Sequence, residues 1–174
     1  MASDVTSLSD LAQALLTVAE DAIATTTAGG IERSYISPAA PAFDCCPFLS
    51  VYVSALSEES TSPLSPAAAP ARRASYGRVN LATLVITAVR CAPTLPSDGL
   101  PTIADIEAVA VQVQEDGWAL WNGVYCAIQN EQFEDLCSFI HFDSGRAIPE
   151  QGGCVGWEMI LRAQIEGIPC GPSS

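Results

Sequence analysis

The stretch from Thr102 to Asn130 constrains this chain more than any other. Its apolar residues Ile103, Ile106, Val109, Val113, Gly117, Leu120, Trp121, Val124 and Ile128 fall on one side of a 3.6-residue helix. The spacing predicts a buried stripe about seven turns long. Pro101 stands just ahead, and Thr102 and Asp105 have capping-box spacing, which supplies acceptors for the unpaired donors of the first turn. Asp105 and Glu107 suit the positive end of the helix dipole. Gly117 and Gly123 interrupt the pattern at about 1 kcal/mol each in helix propensity. They are expected where another backbone comes close. A helix of this kind is built to lie on a sheet.

A chain of 174 residues fits one domain, and at that size roughly 70% of the unfolded surface is buried on folding. Apolar residues make up 49% and charged residues 16%, against about 25% charged in an ordinary soluble domain. Part of the surface is therefore expected to be covered by other subunits. Net charge is −13, with seven Arg, no Lys and one His. Holding nucleic acid by its phosphates requires clustered cations, and only Arg72 and Arg73 are adjacent, so tight DNA or RNA binding is not expected. A negative wall past which DNA slides without sticking is compatible with this charge. The segment from Met1 to Asp10 has two Asp and no basic region, and no apolar run reaches the ~18 residues of a membrane helix. Neither a standard export signal nor a membrane span is expected. The seven Cys lack the C-x-x-C spacing of zinc or redox sites. In a reducing compartment they are expected to serve mostly as small buried hydrophobes.

Around the long helix the other elements follow from their periodicity. Ser7 to about Thr26 predicts an amphipathic helix through Leu8, Leu11, Ala12, Leu15, Val18, Ala19, Ala22 and Ile23, stopped at Gly29 and Gly30. Ile31 to Ile36 predicts a short strand, and the prolines from Pro38 to Pro47 a loop. Phe48 to Leu56 alternates as a strand with one wet face. Glu58 to Ala71 is rich in Ser, Ala and Pro and predicts a long mobile hairpin loop, at about residues 57–74. Between Ser75 and Cys91 the β-branched content rises and both faces become apolar from Leu84 to Val89, as in a central strand. Cys137 to Phe142 alternates weakly as a short strand. After Gly152 and Gly153, Val155 to Ile168 puts Trp157, Met159, Leu161, Ala163 and Ile165 on one side, with Glu158, Arg162, Gln164 and Glu166 on the other. This order predicts an α+β fold, a small and mainly antiparallel sheet of about four strands packed by two helices in a single domain spanning 1–174.

No constellation of residues announces catalysis or a cofactor. His141 is the lone histidine, and no sequence signature places a nucleophile or an orienting carboxylate beside it. It reads as a strand or turn residue between Ile140 and Phe142. Adjacent Cys45 and Cys46 make a poor metal pair. Gly152, Gly153 and Gly156 resemble a phosphate loop in composition alone, with a strand following and no Lys, so a turn with φ > 0 is expected. Glu115 with Asp116, and Glu131 with Glu134 and Asp135, read as solvated acidic faces. Trp118 and Trp121 are neighbours on the surface of the long helix, Trp121 in the stripe and Trp118 at its edge, where an aromatic suits a subunit contact.

Four short motifs remain: Phe43-Asp44-Cys45-Cys46, Val89-Arg90-Cys91-Ala92-Pro93-Thr94, Asp116-Gly117-Trp118-Ala119-Leu120-Trp121, and Gly152-Gly153-Cys154-Val155-Gly156-Trp157. With them the chain resembles the small neck proteins of long-tailed actinobacterial phages that act as tail terminators, over Phe43 to Ile168. The resemblance implies a small sheet backed by two helices, assembled as a six-membered ring (a homohexamer) on the tail tube. The ring would cap the tube of major tail protein, stop its growth, and offer its other face to the head-tail stopper or connector protein. Phage DNA would pass through the lumen without specific binding. It implies a structural protein without catalytic residues or cofactor, made in the bacterial cytoplasm and carried in the virion at the head-tail junction. Contacts between subunits or with the tube are expected at Glu58, Glu59, Arg72 and Arg73 of the loop, at Trp118, and at the polar strand face of Glu158, Arg162 and Gln164. The alternatives are another neck or tail completion protein, such as a stopper or minor tail protein, or a small binding module unrelated to viruses.

Overall fold

The computed structural model of the chain describes residues 8–43, 47–60, 78–93 and 99–165. Two helices, α1 (Leu8–Ala24) and α2 (Ile103–Gln129), accompany five strands: β1 (Ser34–Ile36), β2 (Phe48–Ser60), β3 (Arg78–Cys91), β4 (Phe139–Gln151) and β5 (Cys154–Ile165). The strands form one sheet in the order β1-β2-β3-β5-β4. All pairings are antiparallel except β1 with β2, which are parallel. The expected α+β class is met, with a fifth strand beyond the expected four or so. β1 ends at Ile36 and β2 starts at Phe48, a separation long enough for the return that a parallel pair needs and a tight turn cannot make.

Both helices lie on one face of the sheet. Leu11, Leu15, Ala19 and Ile23 of α1 pack with Leu49, Val51, Leu84, Ile86, Met159 and Leu161 of the central strands, all at 4% exposure or less. The central-strand reading of β3 holds, for every residue from Leu84 to Arg90 is buried. α2 begins as its sequence requires. Asp105 N donates to Thr102 Oγ1 at 3.2 Å and Thr102 N donates to Asp105 Oδ2 at 3.2 Å, closing the capping box. Its other end is a Schellman motif in which Gln132 N donates to Ala127 O at 3.0 Å and Glu131 N to Ile128 O at 3.1 Å. Glu131 takes the left-handed conformation, φ 59°, where glycine is usual.

The expected buried stripe of seven turns is shorter than its periodicity. Only from Val113 onward does α2 bury its apolar side, at Val113, Gly117, Leu120, Val124 and Ala127. Ile103 and Ile106 are 75% and 52% exposed, because no described residue covers the helix there. Trp121 is also partly open, stacked on Phe142 with ring centroids 4.2 Å apart.

The two interior glycines have distinct reasons. A Cβ on Gly123 would lie 2.6 Å from Ala22 Cβ and 3.7 Å from Val18 O, so here α1 does bring its backbone close. At Gly117 the neighbour is the Trp157 indole, 2.5 Å from a Cβ placed there, and not a backbone. The same indole is flanked by Gly145, whose Cβ would lie 3.2 Å from Nε1.

Three more expectations need correction. The Glu115-Asp116 pair is not a solvated face: Asp116 is 1% exposed and is gripped by Arg90, while Glu115 accepts from Thr27 N at 3.3 Å and from its hydroxyl. Nor does the loop begin at Ser57 or Glu58. β2 continues to Ser60, pairing with Asn80, Val79 and Arg78, since ladder hydrogen bonds of a hairpin require no apolar side chains. The rest of the expected loop lies outside the described residues, as do Asp44, Cys45 and Cys46. The short strand expected at Cys137 to Phe142 is instead the thirteen-residue β4, and β5 begins at Cys154. Gly152 and Gly153, φ 60° and 76°, turn one into the other, as a two-residue hairpin with both φ positive demands. Of the described cysteines, Cys137 and Cys154 are buried as expected; Cys91 and Cys126 are exposed.

Candidate assembly surface

The described residues of the motifs that carry the resemblance converge in space. Arg90 of β3 forks onto Asp116 of α2, with Nε to Oδ2 at 2.8 Å and Nη2 to Oδ1 at 2.9 Å, and Nη2 also donates to Gly29 O at 2.8 Å. One guanidinium thus joins the central strand, the long helix and the turn after α1. Next to Asp116, Gly117 receives Trp157; the Gly156 backbone sits so close to Ala88 O that no side chain would fit. Gly152 likewise meets Phe43 O, and Phe43 packs on Phe48 with centroids 6.1 Å apart. These residues are keys of packing, and their chemistry is shape.

The residues expected to make contacts are divided between two faces. Glu158, Arg162 and Gln164 lie on the sheet face away from the helices, beside Thr87, Thr83 and Leu81 respectively. Their charges are engaged within the hairpin: Arg146 Nη2 reaches Glu158 at 2.8 Å, and Arg162 Nε reaches Asp143 at 3.1 Å. Further in on this face Ser50 and Thr87, cross-strand neighbours, bury hydroxyls that find no partner. Tyr52 is 8% exposed there, and burial first, then the nearby Glu158 charge, raise its pKa above the usual 10.0, partly opposed by Arg146. His141 is a strand residue, its ring 5.3 Å from that of Phe139. Glu58 and Glu59 stand on β2 opposite Asn80 and Val79; Arg72 and Arg73 lie outside the described residues.

Trp118 stands on the other side of the molecule, 67% exposed. It borders a cleft of about 450 Å³ between the last turn of α1 and the middle of α2, shared with Ala22, Thr26, Asn122, Gly123 and Cys126. The threonines after α1 fold back on it, Thr25 Oγ1 donating to Ala22 O at 2.7 Å and Thr26 Oγ1 to Ile23 O at 2.9 Å. Trp121 and Tyr125, 38% and 49% exposed, continue the patch, and Leu100, Ile103 and Ile106 leave a second one at the N-terminal end of α2. Sequence reasoning found Trp118 and missed the others, for Ile103 and Ile106 had been assigned to the core by the same periodicity that places Leu120 there. Tyr125 and Cys126 carried no signal of their own. The chain matches no known family description and no curated protein sequence.

Proposed function

We propose that this chain is a structural subunit of a ring at the head-tail junction of a long-tailed phage, where it caps the tail tube as a tail terminator. The observation that carries the assembly role is the open apolar side of α2, with two tryptophans and a tyrosine exposed in a chain that is only 16% charged. Interface cores are depleted in charge and enriched in such aromatics. The phage ring itself is supported by the resemblance, whose motifs meet around Arg90, Asp116, Gly117 and Trp157, and by the sheet with both helices on one face. In this reading the ring works by shape: it ends the growth of the major tail protein tube and receives the stopper or connector. Its net charge of −13 lets DNA pass without adhering.

A second reading, a small binding module, draws on the cleft beside Trp118. Antibody labelling of purified particles, or their density at the neck, separates the two. Label confined to the junction of capsid and tail is expected, together with tails of uncontrolled length when the chain is withheld. Particles that lack the chain, or tails of normal length without it, overturn the terminator.

A further inference from the structure

The last rung of the central ladder pairs two cysteines. β3 ends at Cys91, β5 begins at Cys154, and the two are direct partners in the antiparallel register. The next bond outward, Ala92 N donating to Gly153 O at 2.8 Å, fixes the kind of rung, because a bond between these flanking residues makes Cys91 and Cys154 a non-hydrogen-bonded pair. Such partners stand closest. Their Cα atoms are about 4.5 Å apart and their side chains project to the same face, while a disulfide spans Cα separations of about 4.4–6.8 Å. The backbone therefore already holds the two residues at bridging distance. No other two of the described cysteines share a rung.

The two thiols differ in access. Cys154 is 1% exposed and set among Phe48, Val89, Phe43 and Ile148, with Phe43 O at 3.9 Å and Gly152 O at 3.8 Å from its sulfur. Cys91 is exposed, so use as a small buried hydrophobe accounts for the first cysteine and not for the second. We propose that Cys91 and Cys154 form a redox modification site, at which a small-molecule disulfide of the glutathione type closes an intrachain bridge across the ends of β3 and β5. Cys91, as thiolate, attacks one sulfur of the small disulfide and one small thiol leaves; Cys154 then attacks the Cys91 sulfur of the mixed disulfide and the second small thiol leaves. The two cysteine protons end on the departing thiols, and the two electrons reduce the small disulfide. The loop so closed contains α2 and β4, and closing it restricts the unfolded chain far more than the folded one. The exposed sulfur keeps the bridge open to the reverse exchange, so reducing surroundings undo it. The site stands on the strand register and does not need the ring reading.

The full chain is incubated with oxidised glutathione, its remaining thiols are capped with N-ethylmaleimide in denaturant, and it is digested with trypsin without reductant. Cleavage after Arg90, Arg146 and Arg162 leaves Cys91 in peptide 91–146 and Cys154 in peptide 147–162. A link between these two peptides is expected, from a monomer two hydrogens lighter, with an unfolding midpoint about 5–15 °C above that of the reduced chain. Cys91→Ser, at an exposed position, should keep the fold and lose both the link and the shift. Cys126→Ser, which alters the other exposed cysteine of the same peptide, should keep both. Cys154 linked instead to peptide 34–72, which holds Cys45 and Cys46, overturns the pairing, as does a link that survives Cys91→Ser. Cys154 recovered only with a maleimide cap, or Cys91 recovered only as the mixed disulfide, overturns the site. A link without a rise in midpoint overturns the restraint.

Discussion

Asp116 is the residue whose loss propagates furthest, because its carboxylate is the counter-charge for a guanidinium only 8% exposed. Asp116→Asn leaves Arg90 buried with its charge uncompensated, and breaking such a pair from one side costs about 3–5 kcal/mol. Denaturant unfolding should register that loss. Arg90→Met/Asp116→Leu, which removes both charges, should recover much of it, since a well-packed apolar pair replaces the desolvated ions. Tyr52 yields a pH dependence. Its pKa is raised in the folded state above 10.0 by burial and by Glu158, so the folded chain holds the phenol proton more tightly than the unfolded chain. The stabilising contribution is complete below the unfolded value and fades as pH rises through the folded one. Unfolding followed above pH ~10 should therefore show a steeper loss for the native chain than for Tyr52→Phe. Burial also raises the pKa of Cys137 above 9.0, so the comparison belongs in a Cys137→Ala background, which removes the second source of alkaline loss.

Among the elements, α2 combines a well-packed half with an uncovered one, and the two should respond separately. Thr102→Ala removes a capping box, worth about 1 kcal/mol where helix formation limits stability. Here the capped turn has no core beneath it, so the expected result is faster amide exchange near residues 103–108 with little change in the global unfolding midpoint. An equal loss of global stability would mean that the N-terminal end is already packed in the monomer. This division also explains what could be read in the sequence. Periodicity gave the helix, its cap and its apolar side correctly, because those are local properties. It could not tell that burial begins only at Val113, since hydrophobic residues occur in a core and on an exposed surface alike. β4 was half hidden for a related reason: from Asp143 to Gln151 it is a largely exposed strand held by its ladder to β5 and by the Arg146-Glu158 pair, and alternation fades when neither face is dry. The Arg90-Asp116 fork joins residues 26 apart, so Asp116 looked like any other acid on a helix.

For the proposed ring the deciding balance is between an apolar contact and like charge. Each copy carries −13, and bringing several copies into a ring sums repulsions that a single chain does not feel. At about 0.01 M salt the screening length is near 30 Å, comparable to the size of the domain, so neighbouring copies repel across their full width; at about 0.15 M it shrinks to near 8 Å and only charges at the contact matter. A contact made through the exposed apolar residues of α2 loses nothing to salt. Self-association should therefore tighten as ionic strength rises over this range, by sedimentation or mass photometry at fixed protein concentration. Dissociation on adding salt would mean that oppositely charged groups carry the contact. The Arg146-Glu158 and Arg162-Asp143 pairs would then have to exchange partners between copies, which would move the interface to the opposite face of the sheet.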